Sequence, residues 1–217
     1  MESTIKVVGT GSIHVVPDVT RLDISINRVF KTYEDAYASA KENSTWMVKI
    51  LEYNQQSGKL AKTIRMDISE HSENIYKNGS YVGSKKDGYD LEQRIKIDLG
   101  MDTVLVNNII KGIGKFIPGA QISVGYTLKD PRPTQLKILE RAVTDARDKA
   151  SIMAKAVGRE LGEVKEIEYG EMDVHIYSEA RSIHSNEEAS ASTPNGLDIT
   201  PDDLAVSDNV NVVWFLK

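Results

Sequence analysis

Apolar residues recur at alternating steps of three and four between Leu136 and Val157. Leu136, Leu139, Val143, Ala146, Ala150, Met153 and Val157 have the spacing of one buried helix face. Ala142, Ala154 and Ala156 keep this helix slim, so it can lie close against whatever it covers. Pro133 suits a first helical turn, and Gly158 suits the residue just past the last one. About 25 residues at 1.5 Å each make a rod of roughly 37 Å, about twice an ordinary strand, so the pattern predicts a helix running across a broad sheet.

Elsewhere the period is two. Ile5 to Val16 reads as a strand interrupted by Gly9 and Gly11. Pro17-Asp18 turns the chain into a second strand in which Leu22, Ile24 and Ile26 alternate with polar residues, which predicts a β-hairpin. Thr32 caps a helix with Asp35 three residues on, its apolar stripe running from Tyr33 through Ala36, Tyr37, Ala40, Met47, Ile50 and Leu51 to an end at Gly58. Ile64, Met66 and Ile68 mark a third strand, and Leu91, Ile95, Ile97 and Leu99 a fourth. The polar connection Ser72 to Gly88 between them carries turn signals at Asn78-Gly79 and Asp87-Gly88. A short helix over 104–116, a strand over 122–128, the long helix, a strand beginning at Val164 and a final strand at Val210–Leu216 complete the order. The sequence ββαββ, then αβαββ, suggests two related halves.

These elements predict an α+β fold: a mostly antiparallel sheet of about seven strands, with two long helices and one short helix on one face. One-sided alternation leaves the other face to water or a partner. Residues 1–217 are expected to form a single domain, with a flexible excursion over 178–203, where Ser, Glu, Ala, Asn, Thr and Pro replace large apolar residues.

The charge is uneven. The chain carries −5 overall, but between Glu168 and Asp208 ten acidic residues face one arginine. The remainder is mildly basic, and no basic cluster is interleaved with aromatics, so nucleic acid is not an expected partner. There is no cysteine, which excludes disulfides, thiolate catalysis and cysteine metal sites. No apolar run approaches 18 residues, so no transmembrane segment is expected. Met1-Glu2-Ser3-Thr4 has no signal-like pattern. A periplasmic or cell-envelope location is therefore expected if a signal peptide has been removed, and a cytoplasmic one otherwise.

Candidate chemistry is sparse. Gly9-Thr10-Gly11 resembles the start of a dinucleotide loop, but His14 stands at the third glycine position and a strand follows in place of a helix. The glycines read as bulge or close-packing positions. His14, His71, His175 and His184 lack ligand spacing. His71 lies between Glu70 and Glu73, and His175 and His184 lie near Glu171, Asp173 and Glu179, but no metal and no cofactor is expected. No nucleophile elbow, phosphate loop or calcium loop is present. Trp46 and Trp214 read as core or interface anchors.

Val7-x-Gly9-x-Gly11, then Pro17-Asp18 and an alternating strand, resembles the opening of SIMPL-domain proteins. So does Gly88-Tyr89 leading into the Leu91–Leu99 strand. The fullest likeness is Ala142-x3-Ala146-x3-Ala150-x3-Ala154 followed by Gly158-x2-Leu161-Gly162-x-Val164. The blocks are co-linear from about Ile5 to Leu216. The resemblance implies a non-enzymatic role, since the family has no catalytic residues to carry over. Its members include bacterial periplasmic or outer-membrane-associated proteins, some immunogenic and some linked to oxidative stress. An animal relative binds an interleukin-1-receptor-associated kinase and acts in NF-κB signalling. The matching residues Gly9, Gly11, Pro17, Asp18, Gly88, Tyr89, Ala146, Ala150, Gly158 and Gly162 are expected to be structural. The functional expectation is an interaction or assembly protein of the cell envelope, homo-oligomeric, peripherally associated with the envelope, its protein partner unnamed. The alternative is a small-ligand-binding protein or hydrolase with a site near the 72–88 connection.

Overall fold

The computed structural model describes residues 3–170, 177–184 and 203–217. In chain order the elements are β1 (Thr4–Val15), β2 (Val19–Phe30), α1 (Tyr33–Tyr53), a 3-10 turn (Gly58–Leu60), β3 (Lys62–Lys77), β4 (Ser80–Leu99), α2 (Thr103–Phe116), β5 (Gln121–Thr127), α3 (Arg132–Ala156), β6 (Leu161–Glu168), β7 (Tyr177–His184) and β8 (Leu204–Leu216). The fold is α+β, as the pattern predicts. The strands form two sheets where the alternation alone suggested one: a three-stranded sheet, β1-β8-β6, and a five-stranded sheet, β3-β4-β2-β5-β7.

The chain divides into two compact units, and they are not successive halves. One gathers Met1–Pro17, Thr127–Ser178 and Asp202–Lys217; the other gathers Asp18–Tyr126 and Glu179–Pro201. Pro17 and Asp18 therefore stand where the chain passes from one sheet to the other, and the predicted β1–β2 hairpin does not form. The reason is that every pairing edge is taken. β2 lies between β4 and β5, and β1 has β8 on one side and side chains of α3 against its other backbone groups.

In the larger unit, β2 and β4 pair antiparallel from Thr20 opposite Leu99 to Phe30 opposite Tyr89. Leu22, Ile24 and Ile26 share a face with Ile95, Ile97 and Leu99, and they meet Met47, Ile50 and Leu51 of α1 and Val106, Ile109 and Ile113 of α2. Burying each such side chain contributes about 1.5–3 kcal/mol, which makes this the main apolar core. Both helices begin on a side-chain cap: Thr32 accepts from the Asp35 N–H, and Asp102 from the Leu105 N–H. One polar cluster is buried here. Asn43 donates to Gln93, whose own amide donates to the Ala40 carbonyl and to the Ser44 hydroxyl, so the pair is satisfied. On the opposite face of the sheet the alternating polar residues pair across strands. Arg21 grips Asp98 in a two-pronged contact, and Glu92 lies between Arg65 and Arg94.

The predicted polar connection 72–88 is strand. Asn78 and Gly79 both take positive φ, 50° and 79°, the conformation that matches the twist of a two-residue hairpin. β3 and β4 consequently run on as one continuous ribbon. Asp87-Gly88 is no turn: Gly88 faces His71 and Lys86 faces Ser72, so Asp87 is the extra residue of a bulge. Likewise α1 ends on Asn54, ahead of Gly58, because Gln55 turns left-handed at φ 59°. The predicted excursion over 178–203 falls largely outside the described residues; its described part is 178–184, in β7, and Asp203.

Candidate functional site

In the smaller unit α3 lies along β1, and its buried stripe is Ile138, Ala142, Ala146, Ala150 and Ala154. Leu136, Met153 and Val157, predicted to face the sheet, are exposed; Val157 retains 69% of its surface. The glycines of β1 explain the rotation. A Cβ on Gly9 would lie 2.0 Å from the Ala142 carbonyl oxygen and 2.6 Å from the Ala146 Cβ. A Cβ on Gly11 would lie 1.9 Å from the Ile138 carbonyl. The helix backbone rests directly on the strand backbone, so only its smallest side chains can face inward. Four helical residues rise about 6 Å and two strand residues about 6.6 Å, so every fourth helix position meets every second strand position. With 12 and 13 residues, β1 and β8 are as long as the helix, which lies along them and does not cross a broad sheet.

The same step of four places three charged side chains on the edge of β1. Arg141 donates to the Ser12 carbonyl at 2.6 Å, Asp145 accepts from the Thr10 N–H at 2.8 Å, and Lys149 reaches the Val8 carbonyl at 3.4 Å. These are backbone groups that point away from β8 in an antiparallel pair. Asp145 is also paired with Lys149 at 2.6 Å. The Lys149 ammonium and the Thr10 N–H hold its carboxyl below the ordinary value. At the end of α3 Gly158 adopts φ 70°, and the Arg159 N–H returns to the Ala154 carbonyl. Gly162 lets β6 approach β8, since a Cβ there would meet the Phe215 carbonyl at 2.7 Å.

Gly88 and Tyr89 mark the base of the β3–β4 ribbon. Gly88 has φ 141°, and a Cβ on it would lie 2.2 Å from the Phe30 carbonyl. Tyr89 packs edge-on to Tyr33 and accepts a hydrogen bond from Lys86, whose ammonium also binds Glu70. Hydrogen bonding to Glu70 and Tyr89 raises the Lys86 pKa, and Lys31 beside Asp87 lowers that carboxyl. Beyond this base β2 no longer pairs with β4. His71–Lys77 and Ser80–Gly88 pair only with each other among the described residues. Seven rungs at about 3.3 Å give a free-standing arm of roughly 23 Å. Around its tip Ile75, Tyr76, Tyr81 and Val82 are exposed, Tyr76 by 62% and Tyr81 by 59%.

The SIMPL family profile, described as a protein of unknown function (DUF541), matches residues 5–214. The chain belongs to the SIMPL family. No curated protein matches it.

Within this SIMPL chain the residues singled out from sequence do not converge on one centre. Gly9, Gly11, Ala146, Ala150, Gly158 and Gly162 set the α3 unit. Pro17 and Asp18 are the passage between sheets, and Gly88 and Tyr89 set the ribbon. His71 pairs with Asp90 across the ribbon at 3.0 Å, and not with its neighbours Glu70 and Glu73. Among the described residues no group of three His, Asp or Glu residues is arranged to hold a metal, and no helix is long and apolar enough to cross a membrane. His175 lies outside the described residues.

Two features escaped the sequence reading. One is the ribbon tip, whose signal was present in Asn78-Gly79. The other is a groove of about 680 Å³ between α1 and α2, lined by Trp46, Lys49, Ile50, Tyr53, Asn54, Asn108, Lys111, Gly112, Lys115 and Phe116. Trp46 and Phe116 stack at 4.4 Å across one end. Gly112 pinches the helices together, since a Cβ there would meet Ile50 at 2.9 Å.

Proposed function

We propose that this SIMPL protein is a non-enzymatic interaction and assembly module of the cell envelope, and that it self-associates through the β3–β4 ribbon. The observation that carries this reading is the arm itself. A two-stranded ribbon without a third strand is marginal in water, and this one ends in two tyrosines and two aliphatic side chains. Its flanking charges are of both signs, Glu73 and Lys77 on one strand and Lys85 and Lys86 on the other. Such a surface is suited to pairing with a second copy. The envelope location is supported by the family likeness, in which bacterial members are periplasmic or outer-membrane-associated and some are stress-linked.

Sedimentation at micromolar concentration tests the assembly. The chain is expected to run above its 24.1 kDa monomer mass, and Tyr76→Glu/Tyr81→Glu to return it to monomer. A single 24.1 kDa species for the unaltered chain would overturn the reading. Fractionation of cells carrying the gene with its native start tests the location.

The 72–88 segment of the alternative reading is a two-stranded ribbon. Among the described residues, the α1–α2 groove supports a ligand-binding reading.

A further inference from the structure

The α1–α2 groove combines an apolar floor with a basic rim. Ile50, Gly112 and the Trp46–Phe116 stack give it an apolar lining, beside the exposed Tyr53 and the amides of Asn54 and Asn108. Its rim carries Lys49, Lys111 and Lys115, and no acidic residue lines it. None of these three lysines forms an ion pair with a carboxylate among the described residues. Lys111 and Lys115 stand four apart on α2, where like charges destabilise a helix. Lys49 lies over the Trp46 ring at 4.8 Å and Lys115 over the Phe116 ring at 5.1 Å, so the ammonium groups rest on aromatic faces. An exposed ammonium on an aromatic face gains little, and an anion would draw it away at small cost.

We propose that this groove binds a small amphipathic anion: an apolar body carrying one carboxylate or phosphate head. The size follows from the helices. Trp46 to Tyr53 spans about 10 Å of α1, the length of an eight-carbon chain. The volume lies within the range of small-molecule sites. The body lies on Ile50 and Gly112 against the aromatic stack, and the head meets Lys111 and Lys115, with Lys49 closing from the facing helix. Charge complementarity selects this occupant over a neutral or cationic amphiphile. The site is separate from the ribbon and does not depend on the assembly reading.

Trp46 supplies the readout, because the chain has only one other tryptophan, Trp214. In the full chain with Trp214→Phe, octyl phosphate below its micellar concentration is titrated against Trp46 emission. Calorimetry on the unaltered chain gives the same answer without relying on that variant. Saturable one-to-one binding is expected for octyl phosphate and octanoate, at least tenfold weaker for octyltrimethylammonium and for inorganic phosphate alone. Lys111→Glu/Lys115→Glu lies on exposed positions and should weaken octyl phosphate binding at least tenfold, with melting unchanged. No saturation with octyl phosphate, equal binding of the cationic amphiphile, or unaltered affinity in the double variant would overturn the proposal. Binding to phosphatidylglycerol vesicles without binding free octyl phosphate would overturn it as well, since a surface and not a site would then be recognised.

Discussion

The two units seat helices on sheets by opposite means. On the five-stranded sheet, α1 and α2 are held off by Leu, Ile, Val and Met side chains that interdigitate. On the three-stranded sheet, α3 has almost no side chain between itself and β1; glycine meets alanine and backbone meets backbone. Aliphatic packing tolerates change because neighbours can shift by a fraction of an ångström. A seam in which the nearest neighbour of an added carbon is a carbonyl 2.0 Å away has no such reserve. The difference teaches that a single methyl group carries different weight in the two units.

The sharpest test sets two one-carbon changes against each other. Gly9→Ala should cost about 3 kcal/mol, because the added carbon overpacks against helix backbone. Ile24→Val, which removes one carbon from the aliphatic core, should cost about 1 kcal/mol. Urea unfolding of both variants gives the ranking, and the reverse order would break the contrast. Next in size is the buried amide pair. Asn43→Leu alone should cost about 2 kcal/mol by orphaning Gln93, and Asn43→Leu/Gln93→Leu should recover part of that loss. A double variant as unstable as the sum of its singles would show that the pair is not coupled.

Asp102→Ala removes the cap of α2 and should cost about 1 kcal/mol, while Asp102→Ser should restore most of it. Thermal melts are enough to see this. The smallest effect is that of Asp145→Asn, read against pH. Because the folded carboxyl sits below its ordinary 3.8, its contribution is present above that value and disappears as the pH falls through the lower folded pKa. The melting difference between Asp145→Asn and the unaltered chain should therefore be largest near neutrality and close in acid. A difference that grows on acidification would remove Asp145 from the seam's account.

Much of the fold was legible because hydrophobic alternation is local. The existence of β2, α1, α2 and β5 follows from period and caps, and the start of α1 from Thr32, while its end was set by Gln55 and not by Gly58. The α3 stripe was legible only in part, since Leu136, Met153 and Val157 keep heptad spacing as well as the alanines do. What distinguishes the two faces is the partner strand, and the information lies in Gly9 and Gly11, more than 120 residues away. The division into two sheets is non-local for the same reason: nothing in Pro17-Asp18 tells that β1 will pair with β8 and not with β2. The ribbon could have been read, because Asn78-Gly79 lies between alternating runs. Its polar flanks made it look like loop. The lysine groove was invisible, since Lys49 and Lys111 come from different helices and each is ordinary on its own.

The contacts from Arg141, Asp145 and Lys149 reach main-chain atoms of β1 and not its side chains. Recognition of this kind is blind to residue identity on the strand. Val8, Thr10 and Ser12 are thus free to diverge without loosening α3, while each of the three helical positions must keep both its polarity and its reach. A library randomised at all six positions should return a narrow choice on the helix and a broad one on the strand. Homologous proteins would then keep their family resemblance at glycines and alanines, and vary at the residues between them.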